Sequence, residues 1–341
     1  MSAAPSAGGA QAPTASGTVL LSGSEVRALV SIGDVIEAVE QAAIERVSGP
    51  VSAVPRVGLP GGGTLLMAAQ SAERGGVAAK IVSIAPGNRA AGLATIQGLA
   101  SWFDYTTRQP LLVADATAVT ALRTGALSGV ATRALAPPDA AVLTMVGVGG
   151  QALSQVAAVA AVRPIRQVQV VSLHRETAEQ FRERLLDSLP DRSVVVFDDV
   201  ATAVRDADIV CLATTAGSAL IEDRDLNRDV HVNAVGAYRP DMKEIGVSVF
   251  AAACLVCADD PQGATHEAGD LMAAIAAGAL DPASVVDLGA LVGPGQVRPA
   301  RSGGITVFKS VGSAAADLAL LDLLLARAIA APGIRRFDFA G

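Results

Sequence analysis

Two cations stand where charge is costly to keep. Lys80 lies in the apolar stretch "VAAKIVSI", which reads as a strand, and a bare buried ammonium is expensive unless it is used or paired. Such a lysine can be a point charge for a carboxylate or a proton donor to nitrogen; alternatively, its head reaches solvent from a strand edge. Arg56, in "PRVGLP", either offers a planar fork to a carboxylate or is a surface arginine. Arg123 sits among small and apolar residues of the helical stretch "TALRTGALSG". It needs an anion, either from a bound molecule or from an internal pair with Asp115 or Asp104.

A second feature is a turn. "AVLTMVGVGGQALSQVAAVAAV" runs from an apolar strand through a glycine cluster into an alanine-rich helix. Gly147, Gly149 and Ala152 have the spacing of a dinucleotide fingerprint, with alanine in the third small position. Gly147 permits the tight turn, Gly149 leaves room for a pyrophosphate, and Ala152 allows close helix-to-strand packing. Backbone N–H groups at the helix start can then hold phosphates. The plainer alternative is a glycine-rich turn in an unrelated α/β domain. For NAD the second strand should end in an acid. Here "VQVVSLHRET" places His174 and Arg175 at that end. An arginine can pair with a 2′-phosphate, so NADP(H) is favoured. Glu176 keeps NAD(H) open, and Arg175 can instead be a solvated charge at a helix start.

These residues must be positioned by a chain of 341 residues, 51% of them apolar, which suffices for two domains with a sizeable core. Few aromatics and a net charge of −7 argue against a nucleic-acid surface. No apolar run is long enough to span a membrane. The start, "MSAAPSAGGAQAPTASG", reads as a flexible tail over residues 1–16 rather than a signal peptide, so a cytoplasmic protein is expected. Cys254 and Cys257 form a CxxC inside a strand-like run, where positions three apart face opposite ways. Burial is the simpler reading than zinc or redox chemistry. His174, His231 and His266 show no metal-ligand spacing, and "HEAGD" reads as a helix start. No metal is expected.

From about residue 141, short β-rich runs alternate with helical stretches, the pattern of a doubly wound parallel sheet. Before it, "SGSEVRALVSIGDVIEAVEQAAIERVSG" reads as one helical start, followed by strands "TLLMAAQS", "GGVAAKIVSI", "GLASWFDY" and "PLLVADA" and then a long helix. "APPDA" is an interdomain hinge. The last helix, 314 to 331, has no strand after it. It is expected to return to the first domain and to make the dinucleotide domain an insertion. The predicted layout is residues 17–137 plus 312–341 for substrate binding and dimerisation, with 138–311 as the Rossmann domain.

In order along the chain, "PRVGLP", "AAKIVSIAPGN", "GLATIQG", "TALRTGALSG", "GVGGQA", "VNAVGAYRPDMKE", "HEAGDL" and "FKSVG" resemble the ornithine cyclodeaminase/mu-crystallin family from about residue 19 to 330. The resemblance implies a Rossmann-type doubly wound sheet inserted into a second α+β domain, and a homodimer. It implies that Arg56 and Lys80 contact a small amino or imino acid, and that Thr95 and Arg123 touch the cofactor together with Gly150 and Gln151 of the glycine turn. Thr214, Val235 and Gly236 are further expected cofactor contacts. "FKSVG" would close the pocket, with Val311 toward cofactor and Gly312 toward substrate.

Cyclodeaminases of that family carry an aspartate where this chain has Tyr238. A phenol of pKa ~10 is no ready base at neutral pH. The nearby acid is Asp241, in a pattern closer to ketimine reductases, either as a catalytic group or as a turn residue after Pro240. The expected activity is therefore NAD(P)H-dependent reduction of a cyclic ketimine such as pyrroline-2-carboxylate or piperideine-2-carboxylate. Ornithine cyclodeamination, an alanine-dehydrogenase-like reaction and cofactor or ligand storage without turnover are the alternatives.

Overall fold

The computed structural model describes residues 17–60, 62–295 and 303–339; the tail expected over residues 1–16 lies outside them. Two sheets of eight strands each organise the chain. The first runs Arg336–Phe337, Thr18–Leu21, Pro110–Asp115, Ile96–Asp104, Gly76–Ile84, Thr64–Ser71, Ser52–Ala53, with Val57–Gly58 also on Thr64–Ser71. The second runs Ser193–Phe197, Gln167–Val171, Val142–Val146, Ile209–Leu212, His231–Ala234, Ile305–Lys309, Ala253–Ala258, Val286–Asp287, and its pairings are parallel. The chain leaves the first sheet, builds the second and returns, so the architecture is a doubly wound α/β sheet inserted into an α+β unit. Strand order reverses beside Val142–Val146, and crevices form at the carboxyl ends of strands at such a point.

The alternating pattern of Gly76–Ile84 decides where its lysine goes. Side chains alternate across a strand, so Ala78, Lys80 and Val82 are buried while Ile81 is exposed. The buried face meets the apolar helix Ala314–Ala330, which also packs on Thr64–Ser71 and Ile96–Asp104. Leu318, Leu320, Leu321 and Leu324 of that helix are fully buried, each contributing roughly 1.5–3 kcal/mol of apolar burial.

Helix Ala116–Leu135 joins the two halves. It is buried along most of its length, and its small residues let it approach the dinucleotide-side helix Ala152–Val162 closely. A Cβ at Gly125 would lie 2.5 Å from the Ser154 carbonyl oxygen. Asn233 Nδ2, from the second sheet, donates to Thr132 Oγ1 at 2.9 Å.

The early helix differs from expectation: it is two, Gly23–Leu29 and Ile32–Ser48. Ser31 and Asp34 form a second capping box, which satisfies the orphan N–H groups of a new start and so favours a break. The final helix is followed by a strand after all: Arg336–Phe337 pairs antiparallel with Thr18–Leu21. Among the described residues no helix is long and apolar enough to cross a membrane.

Candidate active site

Lys80 is 1% exposed, and its Nζ donates to Asp317 Oδ1 at 2.7 Å. It lies on an inner strand of the first sheet, so it does not reach solvent from an edge. The same Asp317 oxygen is 3.2 Å from Arg123 Nε. Burial, then the Arg123 charge, pull the Lys80 ammonium down to about 8, with Asp317 opposing both and Arg56 adding to the depression. Neither acid considered for Arg123 is its partner. Asp115 caps helix Ala116–Leu135 by accepting from Ala118 N at 2.7 Å, and Asp104 accepts from Thr106 and Thr107 N. Arg123 Nη1 is buried with no protein partner among the described residues.

Arg56 enters from the loop between Ser52–Ala53 and Val57–Gly58. Its Nη1 donates to the Val311 carbonyl at 2.5 Å, and Nη2 donates to the Tyr238 carbonyl at 3.1 Å and to the Glu267 carboxylate. Burial lowers its pKa, with Asp259 opposing. The guanidinium therefore ties the first domain to loops of the second. Gly312 completes the cluster. Its φ of +106° suits glycine, and a Cβ there would lie 3.1 Å from Arg123 Nη2. Val311 and Gly312 are held by buried Asp259, whose carboxylate accepts from Ser310 Oγ at 2.7 Å, Val311 N at 3.2 Å and Gly312 N at 3.0 Å. Burial raises the Asp259 carboxyl, and the Ser310 hydroxyl counters.

A cleft of about 370 Å3 opens over this cluster, lined by Arg56, Met67, Gln262, Glu267, Gly312 and Ala314 among others. Met67 is the cross-strand partner of Lys80, and Arg123 lies behind Gly312. Lys80 and Arg123 thus form the layer beneath the cleft.

The turn at residues 147–152 fits a dinucleotide. Gly147 has φ +88°, and a Cβ there would sit 2.7 Å from the Ala213 carbonyl oxygen and 2.8 Å from Thr214 Cγ2. Nothing lies within 4 Å of a Cβ placed at Gly149 or Gly150, and buried Ala152 opens the helix. The Gln151 side-chain oxygen is buried without a protein partner among the described residues. Fully buried Glu244 fixes the neighbouring loops. Oε1 accepts from Thr214 N at 2.7 Å and Thr214 Oγ1 at 2.9 Å, and Oε2 from Gly236 N at 2.8 Å and Ala237 N at 3.0 Å. Val235 N donates to Leu212 O at 2.9 Å. Gly147, Thr214, Val235 and Gly236 therefore follow one another along the ends of adjacent strands. Gly147, Gly149, Gly150 and Gln151 would hold the pyrophosphate, with Thr214, Val235 and Gly236 beside the nicotinamide.

Other expected residues fall elsewhere. Asp241 is 69% exposed in its side chain and paired through both oxygens with Arg239, so it does not join the Lys80 cluster. Its position is that of the turn residue. Thr95 leads into Ile96–Asp104, its carbonyl accepting from Ala85 N at 2.8 Å. His174 is exposed ahead of helix Arg175–Ser188. Arg175 is exposed and held by both oxygens of Asp198, at 2.6 and 2.5 Å, and by Glu179. His266 and Glu267 close the helix Pro261–Glu267 rather than opening one. Cys257 is buried and Cys254 exposed. No metal-holding group of His, Cys, Asp or Glu occurs among the described residues.

Asp317, Asp259 and Glu244 were not singled out from sequence as site residues. Asp317 carried a signal: a lone acid inside a helix otherwise apolar enough to be buried, where an unpaired charge is costly.

Known proteins share this architecture. A Delta(1)-pyrroline-2-carboxylate reductase of Bacillus cereus is 30% identical over 330 residues, 94% of this chain and 100% of the relative. The structure of Thermococcus litoralis Delta(1)-pyrroline-2-carboxylate reductase in complex with NADH and L-proline superposes with a TM-score of 0.85 at 30% identity, covering 92% of this chain and 98% of that one. An archaeal alanine dehydrogenase dimer with bound NAD gives a TM-score of 0.86 at 28% identity, over 94% and 99% of the two chains. A family model matches residues 17–331, and the chain belongs to the ornithine cyclodeaminase/mu-crystallin family.

Proposed function

We propose that this protein reduces small cyclic ketimine carboxylates, such as pyrroline-2-carboxylate or piperideine-2-carboxylate, to proline or pipecolate. The observation that carries this is the layer beneath the Arg56-lined cleft, where Lys80 stands across the strands from Met67 of the cleft wall and shares one Asp317 carboxylate oxygen with Arg123, which lies behind Gly312. That arrangement leaves positive charge for a substrate anion. The relatives named pyrroline-2-carboxylate reductase support the choice of substrate.

Reduction of C=N adds a hydride at carbon, supplied by the bound dinucleotide, and a proton at nitrogen. The proton and the orientation fall to this chain. Arg56 and Arg123 hold the carboxylate, and Lys80 keeps an ammonium at the imine end. Tyr238 does not supply a carboxylate base, since burial raises its phenol further, and this disfavours cyclodeamination.

Cofactor choice turns on Arg175. Sequence favoured NADP(H), but the arginine is chelated by Asp198, whose charge opposes a 2′-phosphate. We place NADH ahead, in keeping with the NADH and NAD of the two structural neighbours. One assay tests both points: nicotinamide absorbance with each cofactor against a ketimine panel, and ammonia release from ornithine. Turnover of the ketimines with NADH is the expected result. Ammonia release without ketimine turnover overturns the substrate, and a tenfold preference for NADPH, about 1.4 kcal/mol, overturns the cofactor reading.

We also infer a homodimer through the first sheet. Val57, Leu66, Ile81 and Leu99 are register partners across its strands, and Val57, Ile81 and Leu99 are 53%, 53% and 62% exposed. Such an apolar row invites cover, and a second copy is the occupant the dimeric archaeal neighbour supports. Light scattering at micromolar concentration should give a dimer mass, and Leu99→Glu should shift it toward the monomer. A monomer mass for the unaltered protein sinks the inference.

A further inference from the structure

The reaction above needs a charged lysine in a place that works against charge. Lys80 is enclosed by its own strand, by helix Ala116–Leu135 bearing Arg123 and by helix Ala314–Ala330 bearing Asp317. Arg123 and Arg56 both oppose its ammonium, and Asp317 is the group that favours it. The carboxylate does this with one atom. Oδ1 takes Lys80 Nζ at 2.7 Å and lies 3.2 Å from Arg123 Nε, while buried Oδ2 has no partner among the described residues.

Sharing one oxygen has a geometric consequence. Asp317 meets Arg123 as an ion pair on the Nε side of its fork, with no hydrogen bond made by Nε among the described residues, so the Nη atoms remain for another anion. Nη2 lies against Gly312 of the cleft wall, and Nη1 has no protein partner among the described residues. Asp317, on helix Ala314–Ala330, is 2% exposed.

We propose that Asp317 is a positioning residue that keeps Lys80 protonated and turns the free edge of Arg123 toward the substrate carboxylate. It touches neither substrate nor cofactor. This rests on the ketimine-reduction reading, which gives the two cations their tasks.

The sequence makes a direct test practical, because Lys80, Lys243 and Lys309 are the lysines of the chain. In protein labelled with 13C at lysine Cε, the Lys80 signal is identified by its loss in Lys80→Arg and followed by NMR as pH is raised. In the unaltered protein Lys80 should be charged at neutral pH and lose its proton near pH 8. Asp317→Asn removes the favourable charge while keeping shape. The Lys80 titration should move down by on the order of one pH unit or more, and the alkaline limb of the kcat/KM profile should move with it. Asp317→Glu restores the charge and should return both toward the starting values.

A Lys80 signal already neutral at neutral pH in the unaltered protein overturns the proposal without need of a variant. So does an Asp317→Asn protein, folded by circular dichroism, whose Lys80 titration is unmoved. If the titration moves as expected while the unaltered protein reduces no ketimine, the pairing of Asp317 with Lys80 is supported and it is the reaction that fails.

Discussion

Lys80→Ala should lower ketimine turnover by on the order of 100-fold or more, the scale of a lost proton donor, while dinucleotide binding measured by fluorescence persists. Persistence shows that the fold and the glycine turn survive. Lys80→Arg should not rescue turnover, because a guanidinium keeps its proton and cannot act as the acid. The pH dependence has a definite sign. The ammonium is the form below its pKa of about 8, so reduction should fall as pH rises through that value. Near-native turnover in Lys80→Arg would reduce the lysine to a counter-charge, and full activity in Lys80→Ala would move the active site elsewhere.

Arg56→Ala should raise KM for the ketimine by roughly 30-fold or more, the equivalent of at least about 2 kcal/mol for an anion that loses one charged partner. Cofactor affinity should stay near normal, since the hydrogen bonds of Arg56 go to Val311, Tyr238 and Glu267 and not to the glycine turn. Its second task must be separated from the first. Arg56 also binds the Val311 and Tyr238 carbonyls and Glu267, so its loss loosens the junction of the two domains. Glu267→Gln removes the acid partner and keeps the guanidinium. If Glu267→Gln raises KM as much as Arg56→Ala, the arginine acts through the junction rather than on the substrate.

Much of the fold was legible because it is written in near neighbours. Short apolar runs marked Thr64–Ser71 and Gly76–Ile84 as strand-like, and a strand–glycine–helix succession marked residues 141–162 as a candidate dinucleotide turn. Turn and cap chemistry acts over three or four residues. The early stretch reads as one helix because its apolar residues continue past Val30, yet the capping box of Ser31 and Asp34 opens a second helix there. Lys80 and Arg123 were likewise legible as charges in need of partners, since apolar surroundings in sequence foretell burial.

Which partners they find belongs to the tertiary structure. Sequence offered Asp115 and Asp104 for Arg123, the two acids that most closely precede it along the chain. Local hydrogen bonds take both of those, one as a helix cap and one in a turn. The acid that remains is Asp317, 237 positions from Lys80, brought back by the returning helix. Asp241 was lost from the site in the converse way: it lies close in sequence to expected contacts, but its side chain turns to solvent and to Arg239. Chain separation carries no information about such distances. The sequence by itself determined that cations sit in apolar surroundings and that a glycine turn links a strand to a helix; packing of the last helix against the first sheet decided that Lys80 and Arg123 share one carboxylate, because only a folded core can make an ammonium, a guanidinium and an acid costly to leave apart.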